Sequence, residues 1–278
     1  MADSIDLRIP KEYKLQGARL NAMTQKLAYE WITQLKELKP ITKKGQENLK
    51  DTMDALEEVG SPRPTEGKIW KDLKHSTIRN NITDWLWKLI HNRLRSGIYW
   101  KNVPGYEERA YCSYCQNLET MDHILFSCTI EGREKIWDMA EKLYKMPIKS
   151  NKGVGWVVPS EALLRGISSL KIKSSDGKYN RQATERYKTI VSETAWLLWK
   201  NRNSRVICEK ETQPAQLRSR WVTEMNNKIE LEYVRILKKE KEDKSESIKS
   251  FKERWIENET IAELDKGQLT MKRWDQNL

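Results

Sequence analysis

The chain has 278 residues, 38% of them hydrophobic, and a formal net charge of +11. That size allows one large or two modest domains around a lean core, and the positive balance favours polyanionic partners such as nucleic acid. No stretch approaches the roughly 18 apolar residues of a membrane span, and Met1 to Asp6 has neither a basic nor an apolar signal region, so the expectation is an intracellular protein, nuclear, cytoplasmic or both.

Twelve Trp and ten Tyr against two Phe mean that the core leans on aromatic rings with a polar handle. Leu20, Met23, Leu27, Trp31, Leu35 and Leu38 recur every three or four residues, which predicts an amphipathic helix over 18–38, stopped before Pro40. Leu49, Met53 and Leu56 mark a second helix over about 46–59. The pair reads as an N-terminal helical hairpin over 1–60, closed by the stiff linker Gly60-Ser61-Pro62-Arg63-Pro64.

Thr65 can cap a short helix carrying Ile69, Trp70 and Leu73. Ile78, Ile82, Trp85, Leu86, Leu89 and Ile90 then give the strongest helical stripe in the chain, with Gly97 as its C-terminal cap. Between residues 68 and 101 eight Lys and Arg face only Asp72 and Asp84. Lys71, Lys74, Arg79, Lys88, Arg93, Arg95 and Lys101 are therefore candidate phosphate contacts, although a solvated helix face would look the same.

The segment 65–146 reads as one metal-stapled helical module, because Cys112-Ser113-Tyr114-Cys115 is followed by His123 and Cys128. The spacing C-x2-C-x7-H-x4-C places two thiolates on a tight turn and completes a tetrahedral set with an imidazole and a third thiolate. These donors suit Zn(II), one ion per chain, ahead of iron; four protein ligands leave no open position for an activated water, so the site is structural. Thr120 can cap a turn that starts at Met121 and carries His123. Cys208 stands alone, and His75 and His91 read as structural or exposed.

Downstream, a helix over 131–145 leaves the cysteines, 146–158 reads as a loop, and Pro159 can start a helix to about Leu170. Tyr187, Ile190, Val191, Thr194, Ala195, Leu198 and Trp199 would form the inner face of a long helix, with Lys188, Lys200, Arg202 and Arg205 on a basic outer face. Leu217, Trp221, Met225, Ile229, Tyr233 and Ile236 continue the C-terminal helical region, taken over 159–237. The mixed-charge run that begins the last segment, 238–278, is either a solvated helix or a partly disordered tail. The fold class is thus mostly α, a helical assembly with one inserted CCHC knuckle.

Enzyme signatures are missing. There is no Asp-Asp pair for a polymerase, no Pro-Asp step of a restriction-like nuclease, no phosphate loop and no Gly-x-Ser-x-Gly elbow. Asp176, Glu185 and Lys188 could be forced into a nuclease triad only by pairing a Ser-Gly turn with a helix.

Trp85-Leu86-Trp87-Lys88-Leu89-Ile90-His91, Tyr99-Trp100, Pro104-Gly105-Tyr106-Glu107-Glu108-Arg109 and His123-Ile124-Leu125-Phe126-Ser127-Cys128, around the CCHC set, resemble the zinc-binding region downstream of reverse transcriptase in LINE-type retrotransposons. The version in fungal elements, where that region follows ribonuclease H, is the nearer likeness. The resemblance extends to Gly17-Ala18-Arg19-Leu20 and to Ser192-Glu193-Thr194-Ala195-Trp196-Leu197-Leu198-Trp199. It implies a non-catalytic region holding element RNA or target DNA, and carries over Cys112, Cys115, His123 and Cys128 as ligands. Residues 107–145 hold five Lys and Arg against eight Asp and Glu, which is poor for direct phosphate contact. That leaves a second expectation, a protein-interaction module docking on reverse transcriptase or a host factor.

Overall fold

The computed structural model describes residues 24–26, 29, 42–146, 153–256 and 259–277. Most of the helix expected over 18–38, and residues 147–152 of the expected loop, lie outside the described residues. The architecture is mostly α, as the sequence periodicities imply. Among the described residues no helix is long and apolar enough to cross a membrane.

Helix α1 (Lys43–Glu58) buries Leu49, Thr52 and Leu56. Its approach to the rest of the chain depends on Gly166, where a Cβ would lie 2.6 Å from Thr52 Cγ2 and 2.7 Å from Leu56 Cδ1. Asn48 Nδ2 also donates to the Ile90 carbonyl at 2.9 Å, satisfying a helix-end acceptor. Residues 44–278 accordingly cluster as one unit. The 60–64 segment is pinned to that unit, since buried Ser61 accepts a hydrogen bond from the Lys171 amide at 3.0 Å.

Helix α2 (Glu66–Asp72) is capped as expected, with Thr65 Oγ1 accepting from Lys68 N at 3.2 Å. Helix α3 (Asn80–Ile90) buries Ile82, Trp85, Leu86, Leu89 and Ile90. Gly97 does not cap it. The chain leaves the helix through His91 and Asn92, the latter at φ 51°, and Gly97 instead precedes the single turn α4 (Ile98–Lys101). Helix α5 (Arg133–Lys145) follows the cysteine segment. Helix α6 (Glu161–Arg165) is capped by the hydroxyl of Ser160, one residue beyond Pro159, and gives way to a 3-10 turn at Ile167–Ser169.

The centre of the molecule is α7 (Arg181–Cys208), 28 residues and about 42 Å long at 1.5 Å per residue. It packs against α3, α5 and the later helices α8 (Pro214–Leu237) and α9 (Lys241–Trp255). The expected outer basic face is therefore turned inward. Lys188 and Arg202 are buried, and Lys200 and Arg205 are half-buried. Buried cations persist only with partners. Arg186, fully buried, accordingly donates to the carbonyls of Leu143 and Arg254, helix-end acceptors on α5 and α9.

Leu217, Trp221, Met225, Ile229, Tyr233 and Ile236 of α8 are all buried, as their spacing requires. The mixed-charge run folds as α9 and buries Phe251 and Trp255. Beyond it lies a hairpin absent from the sequence reading, β1 (Ala262–Asp265) antiparallel to β2 (Gln268–Met271), with Ala262 opposite Met271. Lys266 and Gly267, at φ 45° and 85°, supply the two left-handed positions of its tight turn. Trp274 then packs edge-on against Trp221 at 5.8 Å and donates its indole N–H to Asn226 Oδ1 at 2.8 Å. Among the described tryptophans, Trp85, Trp221, Trp255 and Trp274 serve as core, each at most 2% exposed.

Candidate metal centre

Two local devices bring the four ligands together. In the first, Tyr111 pairs with Leu118, Cys112 N donates to Asn117 O at 2.8 Å, and Gln116 N donates back to Cys112 O at 2.9 Å. This tight hairpin, with Gln116 at φ 57°, turns both cysteines toward its inside. In the second, Thr120 Oγ1 accepts from His123 N at 3.0 Å and starts a turn that widens to π geometry over His123–Ser127. Cys128 N closes it on His123 O at 2.8 Å. Residues five apart diverge on an ordinary α-turn, and the wider turn returns Cys128 to the side of His123.

All four ligand atoms lie within 4.8 Å of one another. Cys112 Sγ is 3.6 Å from Cys128 Sγ, and Cys115 Sγ is 3.3 Å from His123 Nε2. Tetrahedral zinc at ordinary bond lengths sets such separations at about 3.8 and 3.6 Å, so the cluster fits one ion of that size. No pair is joined as a disulfide. Cys112, His123 and Cys128 are buried and Cys115 is half-buried. Burial pushes the Cys128 thiol up to about 12, so a thiolate there needs a cation, whereas the Asn117 amide lowers the Cys115 thiol. Burial also lowers the His123 imidazole, which favours the neutral ligating form.

The centre is closed on the side that faces α7. The space between it and α7 is ≈ 20 Å³, about one water and too small for a substrate. Trp137 and Arg133 of α5 hold the wide turn from below: the indole N–H donates to Leu125 O at 2.7 Å, and Arg133 Nε donates to Cys128 O at 2.7 Å.

The strongest tie was not legible in the sequence. Glu119, between the second and third ligands, is 1% exposed and takes Arg202 Nε at 2.6 Å and Arg205 Nη2 at 2.9 Å. Arg202 also donates to the carbonyls of Arg95 and Arg109, both at 3.3 Å, so a single α7 side chain gathers the approaches to the knuckle. Gly97 belongs to the same joint: a Cβ there would meet Glu119 O at 3.0 Å, and its φ of 49° is one that glycine adopts freely.

The seven candidate phosphate contacts separate into two groups. Lys71, Lys74, Arg93, Arg95 and Lys101 are exposed. Arg79 instead sits on Glu193 and Glu224, and Lys88 holds Asp84 at 2.6 Å. Arg95 lies over the Tyr99 ring at 5.6 Å and Lys101 over Tyr111 at 6.0 Å. Of the residues considered for a nuclease triad, Glu185 is occupied by Thr77, by His75 at 3.4 Å and by Lys188 at 3.8 Å, while Asp176 caps Lys178 N in its turn. Cys208 is exposed, outside the cluster.

Comparison of the chain with models of known families, with curated proteins and with solved structures finds no match.

Proposed function

We propose that this chain is a non-catalytic nucleic-acid-binding region, stapled by one Zn(II), from a protein related to fungal LINE-type retrotransposons, and that it holds element RNA or target DNA. The observation that carries the reading is the state of the charges between residues 68 and 101. Five of the seven candidate cations are exposed, while both acidic groups of that span are engaged, Asp72 with Lys68 at 2.8 Å and Asp84 with Lys88 at 2.6 Å. Unopposed Lys and Arg gain affinity for phosphates by releasing counterions. Zinc is the metal because three thiolates and one imidazole in a closed tetrahedral set are its structural donor pattern. The metal centre lies in acidic sequence, so its part is to fix the orientation of the basic segments rather than to touch phosphate.

Fluorescence anisotropy with labelled RNA and DNA at low ionic strength tests this. Five phosphate contacts give a slope of log affinity against log salt of about −3.5 to −4.5. Absence of salt-dependent binding to either polymer would remove the reading.

A second reading, docking on reverse transcriptase, is favoured by Leu231, Val234 and Leu237, which follow one another at threes on α8 and are at least 40% exposed. Capture of reverse transcriptase by the wild type but not by Val234→Lys, without salt-dependent nucleic-acid binding, would decide for it.

A further inference from the structure

An open groove of ≈ 990 Å³ is lined by residues of α2 and α3, of the segment between them, and by Arg235 of α8. Trp70, Leu73, Ile78 and Trp87 supply its apolar wall, and Lys74 and Arg235, both exposed, are its remaining cations once Arg79 is committed to Glu193 and Glu224. Trp87 is 45% exposed, against 2% for Trp85 on the same helix. Its ring is nonetheless held in place. The Trp87 and His91 centroids are 4.2 Å apart, and His91 in turn stacks on Trp70 at 5.2 Å with 19° between the planes.

We propose that this groove takes unpaired bases of single-stranded nucleic acid, with a base stacking on Trp87 and Lys74 and Arg235 meeting the flanking phosphates. The proposal rests on the nucleic-acid reading above and names the form of substrate. A large apolar ring left in water is costly unless something covers it, and one already fixed by its neighbours loses little conformational freedom when a base stacks on it. Base stacking on aromatic side chains, combined with cations that track the backbone, is the physical basis of single-strand binding. Duplex bases have their faces covered, so a recess walled by rings selects against them. The charge is complementary: Asp84, the acidic group in the lining, is neutralised by Lys88.

The test compares a thymidine 12-mer with an abasic 12-mer of equal phosphate count, by anisotropy at low ionic strength. The wild type is expected to bind the thymidine strand about tenfold or more tightly. Trp87→Leu, which keeps apolar volume against His91 but removes the stacking face, is expected to bring the two affinities together without changing the abasic one. Trp87→Phe is expected to retain most of the preference, and Lys74→Ala to weaken both strands alike. Equal wild-type affinity for the two strands, or an undiminished preference in Trp87→Leu with unchanged helicity, overturns the groove while leaving general phosphate binding in place. If the wild type binds neither strand the groove proposal fails, and the nucleic-acid reading stands or falls separately by the RNA and DNA titrations above.

Discussion

Glu119 joins the metal centre to the helical body through a carboxylate that is almost wholly out of water and shared by two guanidinium groups. Removing one partner of such a set leaves a buried charge uncompensated, so Glu119→Ala is expected to destabilise the protein by about 3–5 kcal/mol, read as a lowered urea midpoint. The clustering of the four donors was legible because spacing alone encodes a knuckle; Glu119 was not, because Arg202 lies 83 residues further along the chain and nothing local marks the pair. Glu185 belongs to the same class. Burial pushes its carboxyl up, but hydrogen bonds from His75 and Thr77 and the charge of Lys188 together outweigh burial and bring it down to about 2. A carboxyl lowered on folding stabilises the native state above its ordinary value near 4.5, and that contribution fades as pH falls toward 2. Glu185→Gln is therefore expected to cost roughly 3 kcal/mol at neutral pH and to flatten the acid limb of stability between about pH 5 and 2, measured as urea midpoint against pH beside the wild type.

Helices with one wet face were read correctly from their stripes. α3 and α8 bury the residues their periodicity selects. α7 defeats that logic because it is enclosed by neighbours, so the polar residues that would mark an outer face are instead buried and paired. The hairpin at 262–271 escaped notice because four-residue strands are too short to show alternation; its one local signal was Lys266-Gly267. The junction of α1 with the 3-10 turn depends on Gly166, a position that read merely as part of a helix. Gly166→Ala would press a methyl group against Thr52 and Leu56, and a loss of about 1–3 kcal/mol in thermal or urea unfolding is expected without change in the metal site.

For the molecule as a whole, the proposed metal centre is a clasp. It closes the 107–128 segment on itself, and Glu119 and the π-turn then fasten that segment to α7 and α5. Metal binding to such a cluster is coupled to folding, since donors up to 16 residues apart in sequence converge only in the folded chain. The most direct measurement is metal content of the purified chain by mass spectrometry, together with helicity by circular dichroism as a chelator is added, for the wild type beside Cys112→Ser and His123→Ala. One zinc per wild-type chain is expected, with loss of helical signal on chelation and metal-poor, unstable variants. A wild type that carries no metal and keeps the same helicity and melting temperature with and without chelator would contradict the clasp.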